Sequence, residues 1–371
     1  GCVVFNPSTE EVIGSVPIAG HRDLDDAVDA AECAFRVWGD NSRWSWVRRA
    51  AVMNEVVQLV EAHQKEIAYL VARESGKHLD EANADVVEGI HMLQYCAGRG
   101  RHPIGHKIAS EISEKESETY LDPRGVCAVI TPWNFPFAIP TWLIGPALVS
   151  GNTVVFKPSE ETPLSGQFLV DLFHQVAEKH RVPAGALNLV HGLGDQGEYL
   201  VRHAGTIGQL FTGSQAVGRK VRRICAEHPN KFAVCELGGK NSLIIMSDAR
   251  MDLAVAAAVL SAYKTAHQRC VSADLLIVDE KIEPEFTAQF LAATDRVRFG
   301  DPFDEAMFAG PLINRKAVYK FNMHGASVKS EGAEVLRWHE ADGASNFVRP
   351  NVFRMPYRPH TFTLRQEAFT P

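Results

Sequence analysis

The sequence predicts an α/β protein in which a Rossmann-type parallel sheet is followed by a second α/β region and carries a small charged arm. Two observations predict it. Between Val126 and Glu236, short apolar runs alternate with amphipathic helical stretches, the pattern of a parallel sheet covered on both faces. Between Leu243 and Ala293 a second alternation of the same kind follows. The 371 residues match two or three domains at roughly 150 residues each, and a chain of that length buries a core without cross-links.

Residues 1 to 18 read as extended, with Val3, Val4, Phe5, Val12, Ile13 and Val16 flanking the turn-like Asn6-Pro7-Ser8-Thr9. Leu24, Val28, Ala31 and Phe35 set a helix over Asp23 to Trp38. A longer helical stretch spans Trp46 to Ser75, and another Leu79 to Gly98. Residues 106 to 122 are charged, with apolar residues at intervals, and read as a solvated hairpin or arm. Strands are then predicted at 126–131, 153–157, 186–190, 209–212 and 232–236, with helices at 165–179, 196–202 and 216–226 between them. The second alternation gives strands at 243–246 and 275–278 and helices at 253–266 and 284–293. The seam between the halves falls near Gly238-Gly239.

Composition excludes several classes. The net charge of −7 argues against nucleic acid as the main partner, because phosphate-binding surfaces carry a basic excess. The cysteine count is seven, an odd number, with wide spacing and no C-x-x-C. That argues against a disulfide framework or a zinc site and for reduced thiols in a cytoplasmic setting. No charged residue lies between Gly125 and Phe156, a run longer than the ~20 residues of a membrane span. Pro132, Pro136, Pro140 and Pro146 interrupt it, so it reads as buried strand, loop, short helix and buried strand rather than as a membrane helix.

Five stretches could carry chemistry. Thr131-Pro132-Trp133-Asn134-Phe135-Pro136 follows a buried strand, so Asn134 is either a rigid amide donor to an oxyanion or a residue that satisfies its own turn. Lys157-Pro158-Ser159-Glu160 ends a strand, where Lys157 and Glu160 could grip a ribose or form a solvated rim. Phe211-Thr212-Gly213-Ser214 leads into a helix whose N-terminus suits a pyrophosphate, although no G-x-G-x-x-G is present. Glu236-Leu237-Gly238-Gly239-Lys240-Asn241 offers a carboxylate that could be a desolvated general base or a partner for Lys240. In His267-Gln268-Arg269-Cys270, the cysteine is either a nucleophilic thiolate beside cationic neighbours or an inert buried thiol.

Taken in order, these stretches resemble the aldehyde dehydrogenase superfamily along nearly the whole chain. Asn6-Pro7-Ser8-Thr9, Ile13-Gly14-Ser15-Val16-Pro17, Glu74-Ser75-Gly76-Lys77, Gly310-Pro311-Leu312 and Glu367-Ala368-Phe369 extend the resemblance. It implies an aldehyde dehydrogenase-like fold: an NAD-binding domain over 1–105 and 123–237, an oligomerisation arm over 106–122 and a catalytic domain over 238–371. It implies NAD-dependent oxidation of an aldehyde through a cysteine thioester, with NAD favoured over NADP. Cys270 would be the nucleophile, Glu236 the general base, and Asn134 with the Cys270 N–H the oxyanion hole. Lys157 and Glu160 would hold the adenosine ribose, Ser214 would face the pyrophosphate, and Glu367 and Phe369 would flank the nicotinamide. Trp133, Ser159, Gly213 and Leu237 would complete the cofactor site. No metal is implied, and a homodimer or homotetramer is.

The pattern departs from the family at His267, usually a glycine, at Asp274, usually small, at Leu275, often an arginine, and at Thr370, usually a glycine. These departures keep a second reading open, a catalytically silent homologue that binds nucleotide or serves a structural role. A third, an amino-acid semialdehyde dehydrogenase, rests on Ser261-Ala262-Tyr263. The family's chains run on past the Glu-x-Phe motif, and the sequence opens without a methionine. The expectation is a piece of a longer chain.

Overall fold

The computed structural model describes residues 1–102 and 104–371. Position 103, inside the 1–105 range predicted for nucleotide binding, lies outside the described residues. The chain forms two compact units. The first comprises residues 1–4, 14–70 and 83–236, and the second 5–13, 71–82 and 237–371.

The N-terminal ribbon pairs β1 (Cys2–Phe5) with β2 (Val12–Val16). Helix α1 (His21–Trp38) buries Leu24, Val28, Ala31, Ala34 and Trp38 along one stripe. The Asp23 carboxylate accepts the Gly20 N–H at 2.8 Å and fixes its start. The predicted helix over 46–75 is two helices, α2 (Trp46–Ala62) and α3 (Gln64–Ser75). The break is at His63, whose carbonyl accepts the Ile67 N–H and whose ring meets Glu66 at 2.9 Å, so it starts a new helix. Helix α4 (Leu79–Arg99) follows. The charged segment is a short exposed hairpin, β3 (Lys107–Ile108) antiparallel to β4 (Ser117–Glu118).

Strand and helix then alternate through β5 (Val126–Ile130), α5 (Ala138–Val149), β6 (Thr153–Lys157), α6 (Pro163–His180), β7 (Leu187–Leu189), α7 (Gly194–Arg202), β8 (Thr206–Gly213), α8 (Gln215–Ala226) and β9 (Phe232–Leu237). Helix α5 is apolar all round, so no helical period marks it in the sequence. The Asp85 carboxylate receives its first N–H, from Ala138, at 2.7 Å. The sheet has five strands in the order β7-β6-β5-β8-β9. The pairs β7-β6, β6-β5 and β5-β8 are parallel, with Ile130 in register with both Lys157 and Phe211. After β5 the chain winds to one side and from β8 to the other, so the switch in winding lies between β5 and β8. Ligands of such sheets bind in the crevice outside the carboxyl ends at that switch.

In the second unit β10 (Ser242–Ile245) pairs in parallel with β11 (Leu275–Val278). Helices α9 (Met251–Tyr263) and α10 (Glu283–Thr294) bury Val255, Ala258, Phe286 and Phe290 beside Ile245. The structure adds α11 (Arg315–Ser330), capped by the Asn314 carboxamide, and the antiparallel pair β12 (Glu334–Arg337) and β13 (Val352–Arg354). Segments 5–13 and 71–82 belong to this unit rather than to the first, where the 1–105 boundary would place them. The reason is local. Asn346 donates to Pro7 O at 2.9 Å, Arg315 pairs with Glu10 at 2.7 Å, and a Cβ on Gly310 would sit 1.8 Å from Gly76 O. Gly76, at φ 71, is itself pressed against Pro311. The Glu74-Ser75-Gly76-Lys77 and Gly310-Pro311-Leu312 motifs therefore pack on each other as structure.

Candidate active site

In the first unit, the predicted cofactor residues gather at the carboxyl edge of the sheet. The stretch from Thr131 to Phe137 links β5 to α5 and carries Trp133 and the buried Asn134. Lys157 is the last residue of β6 and is 4% exposed. Its ammonium donates to Gly192 O at 2.7 Å and Pro158 O at 3.0 Å and stands 3.9 Å from the Glu160 carboxylate. Burial holds its pKa below the usual lysine range, with the charge of Glu160 acting against that shift. Ser159 is buried between them in sequence, while Glu160 is partly exposed. The rim is thus not a loose solvated one.

One residue separates β8 from α8, and it is Ser214. Its Oγ accepts the Val217 N–H at 3.4 Å, so the serine caps the helix and leaves Gly213 against the strand end. The positive end of the α8 dipole is thereby placed at the winding switch, where a pyrophosphate would gain most from it.

Glu236 lies in β9, the edge strand, and is exposed. This corrects the expectation of a desolvated carboxylate, because an edge-strand side chain facing outward keeps its water. The Lys240 ammonium, the other partner expected for it, stands 3.5 Å from the Asp274 carboxylate.

In the second unit, Cys270 is partly buried on the loop between a one-turn 3-10 helix, Lys264–His267, and β11. Thr265, Ala266 and His267 all have left-handed backbone, at φ 54, 50 and 65. Such conformations are uncommon for residues with a Cβ and persist only where the surroundings hold them. Here the loop is tied on all sides. Asn241 donates from Nδ2 to Cys270 O at 2.5 Å and to Ser272 O at 3.1 Å. The Gln268 carboxamide accepts the Ile313 N–H at 2.9 Å and donates to Pro311 O at 3.3 Å. Arg269 pairs with Glu81 at 2.8 Å, which also accepts from the Thr265 hydroxyl at 3.1 Å. The two cationic neighbours expected to face the thiol are engaged with other groups, Arg269 with Glu81 and His267 with Asp274 at 3.1 Å.

Burial pushes the Asp274 carboxyl up, but the hydrogen bond and charge of His267, the charge of Lys240 and the Ala368 N–H outweigh it and hold the group below the usual range. Glu367 moves the other way, raised by burial and by the charge of Asp274. Its carboxylate lies so close to Gly238 that a Cβ there would be 2.0 Å from Oε2. Its Oε1 is buried and has no hydrogen-bond partner among the described residues. An acceptor left in that state fits a donor brought by a ligand, such as a ribose hydroxyl. Phe369 is also left-handed, at φ 57, and Leu237 is partly buried at the head of this unit. A cleft of about 950 Å³ opens beside these segments, with Lys240, His267, Asp274, Phe290, Phe321 and Ala368 in its walls but neither Cys270 nor Glu367.

Sequence reasoning gave no role to Asn241, Gln268 or Glu81, which hold the Cys270 loop. The signal for Asn241 was present: an asparagine one residue past a glycine pair is a residue that bonds nearby backbone. Glu81 and Gln268 act through long-range partners that spacing does not reveal.

No group of His, Cys, Asp and Glu among the described residues is placed to hold a metal. No helix among them is long and apolar enough to cross a membrane.

A family model described as the aldehyde dehydrogenase family matches residues 2–371. Malonate-semialdehyde dehydrogenase of Lacticaseibacillus casei is 33% identical over 353 residues, 94% of this chain and 70% of that protein. Malonate-semialdehyde dehydrogenase 2 of Geobacillus thermodenitrificans is 34% identical, over 100% of this chain and 75% of its own. Among solved structures, an NADP-dependent enzyme of E. coli superposes with a TM-score of 0.93 at 33% identity, covering 100% of this chain and 76% of that one. Betaine aldehyde dehydrogenase from Staphylococcus aureus, in complex with NAD+, gives 0.93 at 29% identity, over 99% and 73%. With the fold, the ordered motifs and these relatives in agreement, the chain belongs to the aldehyde dehydrogenase family.

Proposed function

We propose that this chain oxidises an aldehyde to a carboxylic acid through a thiohemiacetal and then a thioester on Cys270, with NAD as the preferred acceptor. The observation that carries the reading is the setting of Cys270: a partly exposed thiol on a loop whose flanks are fixed by Asn241 and Gln268. A nucleophile held in that way attacks from one geometry. The Asn134 amide and the Cys270 N–H receive the developing alkoxide. Glu236 takes the proton of the water that releases the acid. Bound NAD supplies the hydride acceptor. Its ribose is held by Lys157 and Glu160, with Trp133 and Ser159 beside them. Gly213 and Ser214 meet the pyrophosphate, and Leu237, Glu367 and Phe369 meet the nicotinamide end. The first unit is then the NAD-binding domain and the second the catalytic domain.

A carboxylate at 236 supports water over coenzyme A as the acyl acceptor. A carboxylate at 160 supports NAD over NADP, since it repels a 2′-phosphate. The two partners of the reaction are thus an aldehyde and NAD. The 106–122 hairpin acts as an arm that pairs subunits into a dimer or tetramer in the cytoplasm. The relatives' names favour a carboxylate-bearing aldehyde as substrate.

The test is NADH formation with a panel that includes malonate semialdehyde and betaine aldehyde, which differ in charge. Cys270→Ala should lower turnover by at least about a thousand-fold and leave NAD binding within two-fold. Turnover retained in that variant removes the nucleophile assignment. A wild-type chain silent on the whole panel favours the nucleotide-binding homologue.

A further inference from the structure

Asp274 stands where two functional segments of the second unit meet. It closes the loop that carries Cys270, and its side chain is 5% exposed. Its Oδ1 faces His267 Nε2 at 3.1 Å and Lys240 Nζ at 3.5 Å. Its Oδ2 accepts the Ala368 N–H at 3.3 Å. The two oxygens of one carboxylate thus reach opposite ways, one to the approach to the nucleophile and one to the segment of Glu367 and Phe369.

Each link bears on backbone that is not at rest. His267 ends the left-handed run that precedes Cys270 by three positions, and a glycine would adopt its φ of 65 more freely. The imidazole makes up for the missing freedom. Nδ1 lies 2.6 Å from Ala262 O and Nε2 faces Asp274, so both ring nitrogens meet oxygen acceptors, and both contacts are made when both carry hydrogen. On the other side Ala368 lies between Glu367, pressed against Gly238, and Phe369, itself left-handed. Lys240 balances the carboxylate charge, with Lys320 as a further cationic neighbour of the cluster and His324 facing it as a neutral imidazole.

Resting on the function proposed above and deepening it, we propose that Asp274 is a positioning residue that couples the Cys270 loop to the nicotinamide end of the NAD site, holding His267 with one oxygen and the Ala368 N–H with the other. NAD binding at Glu367 and Phe369 is then felt at the thiol through a single side chain. An asparagine of the same shape cannot replace it, because turning its oxygen to the Ala368 N–H sets its NH2 against the Lys240 ammonium, which only donates, and removes the charge that balances it.

The 371-residue chain is titrated with NAD by intrinsic fluorescence. In parallel, iodoacetamide alkylation of the Cys270 peptide is followed by mass spectrometry with and without saturating NAD. In the wild type, NAD should change the alkylation rate by about five-fold or more. In Asp274→Asn that dependence should fall below about two-fold while the Kd of NAD rises about five-fold. In His267→Gly the dependence should fall likewise with the Kd of NAD unchanged, since the Ala368 link remains. Asp274→Glu, which keeps the carboxylate, should recover the Kd. Full NAD dependence in Asp274→Asn overturns the proposal. So does an equal rise in Kd in Asp274→Asn and His267→Gly, which marks general loosening rather than two separate links. If Asp274→Asn does not fold, His267→Gly and Asp274→Glu carry the same readings. Both readouts need no turnover. A wild type that binds NAD but oxidises no aldehyde removes the proposed reaction and leaves the coupling to be read. A wild type that binds NAD with no effect on Cys270 removes the coupling and leaves the reaction.

Discussion

The carboxyl edge of the parallel sheet and the loop around Cys270 both hold polar groups in place, but with different materials. At the sheet edge the work is done by regular structure. Strand β6 delivers Lys157, β8 runs into α8 across the single residue Ser214, and neighbouring strands set their separation. The backbone there is ordinary, and the one buried ammonium is held by two carbonyls. The Cys270 loop has almost no regular structure to lean on. Its left-handed run and the turn after it are kept by side chains, the run by Gln268, Glu81 and the His267–Asp274 pair and the turn by Asn241. A site for a shared cofactor can be made from a common fold, whereas the geometry of one thiol is made from particular side chains. Substitutions should therefore behave differently in the two places: graded at the sheet edge, steep at the loop.

The largest effect expected from a single conservative change outside Cys270 is at Glu236. Glu236→Gln should slow steady-state turnover by about a hundred-fold and leave the first burst of NADH intact, because water activation is lost and thiol attack is not. Equal loss in burst and steady state would move Glu236 out of the hydrolytic step. At the sheet edge, Glu160→Gln should shift the ratio of kcat/KM for NAD over NADP by about ten-fold toward NADP, with kcat nearly unchanged. An unaltered ratio would show that the Lys157–Glu160 pair is a structural rim after all.

The smallest effect is a pH dependence of stability in the second unit. Burial, and then the charge of Lys240, lowers the His324 pKa from its ordinary 6.5 to about 4. The folded imidazole stays neutral while the unfolded one protonates near 6.5. Between those values the unfolded chain binds the extra proton, so stability is lost as pH falls from about 6.5 to about 4. Partial exposure limits the contribution to about 2 kcal/mol or less. His324→Gln should flatten this part of the thermal-unfolding profile, and an unchanged slope would assign it to other histidines.

How legible each region was follows from the same contrast. The alternation from β5 to β9 was readable because strands buried on both faces are continuous apolar runs and their helices are amphipathic. Helix α5 was the exception, having no polar face to set a period. Lys157, Ser214 and Asn134 could be placed because strand ends are local events. The loop was only half legible. Cys270 and its neighbours were visible as residue types, but the partners of Arg269 and His267 were not, and Glu236 turned out to be exposed. Glu81 meets Arg269 across about half the chain, and no periodicity marks such a pair. Helix α11 carries Val318, Phe321 and Val328 at helical spacing, so its signal was present in the sequence.

The left-handed run at Thr265, Ala266 and His267 also bears on the order in which the molecule assembles. The tie of Thr265 to Glu81 and that of the adjoining Gln268 to Ile313 join residues 184 and 45 positions apart. Contacts that distant form only after the chain between them has collapsed. The thiol should therefore acquire its final reactivity late. On refolding from denaturant, aromatic fluorescence should recover before the native alkylation rate of Cys270 does, leaving a short interval in which the fold is built and the nucleophile is not yet set.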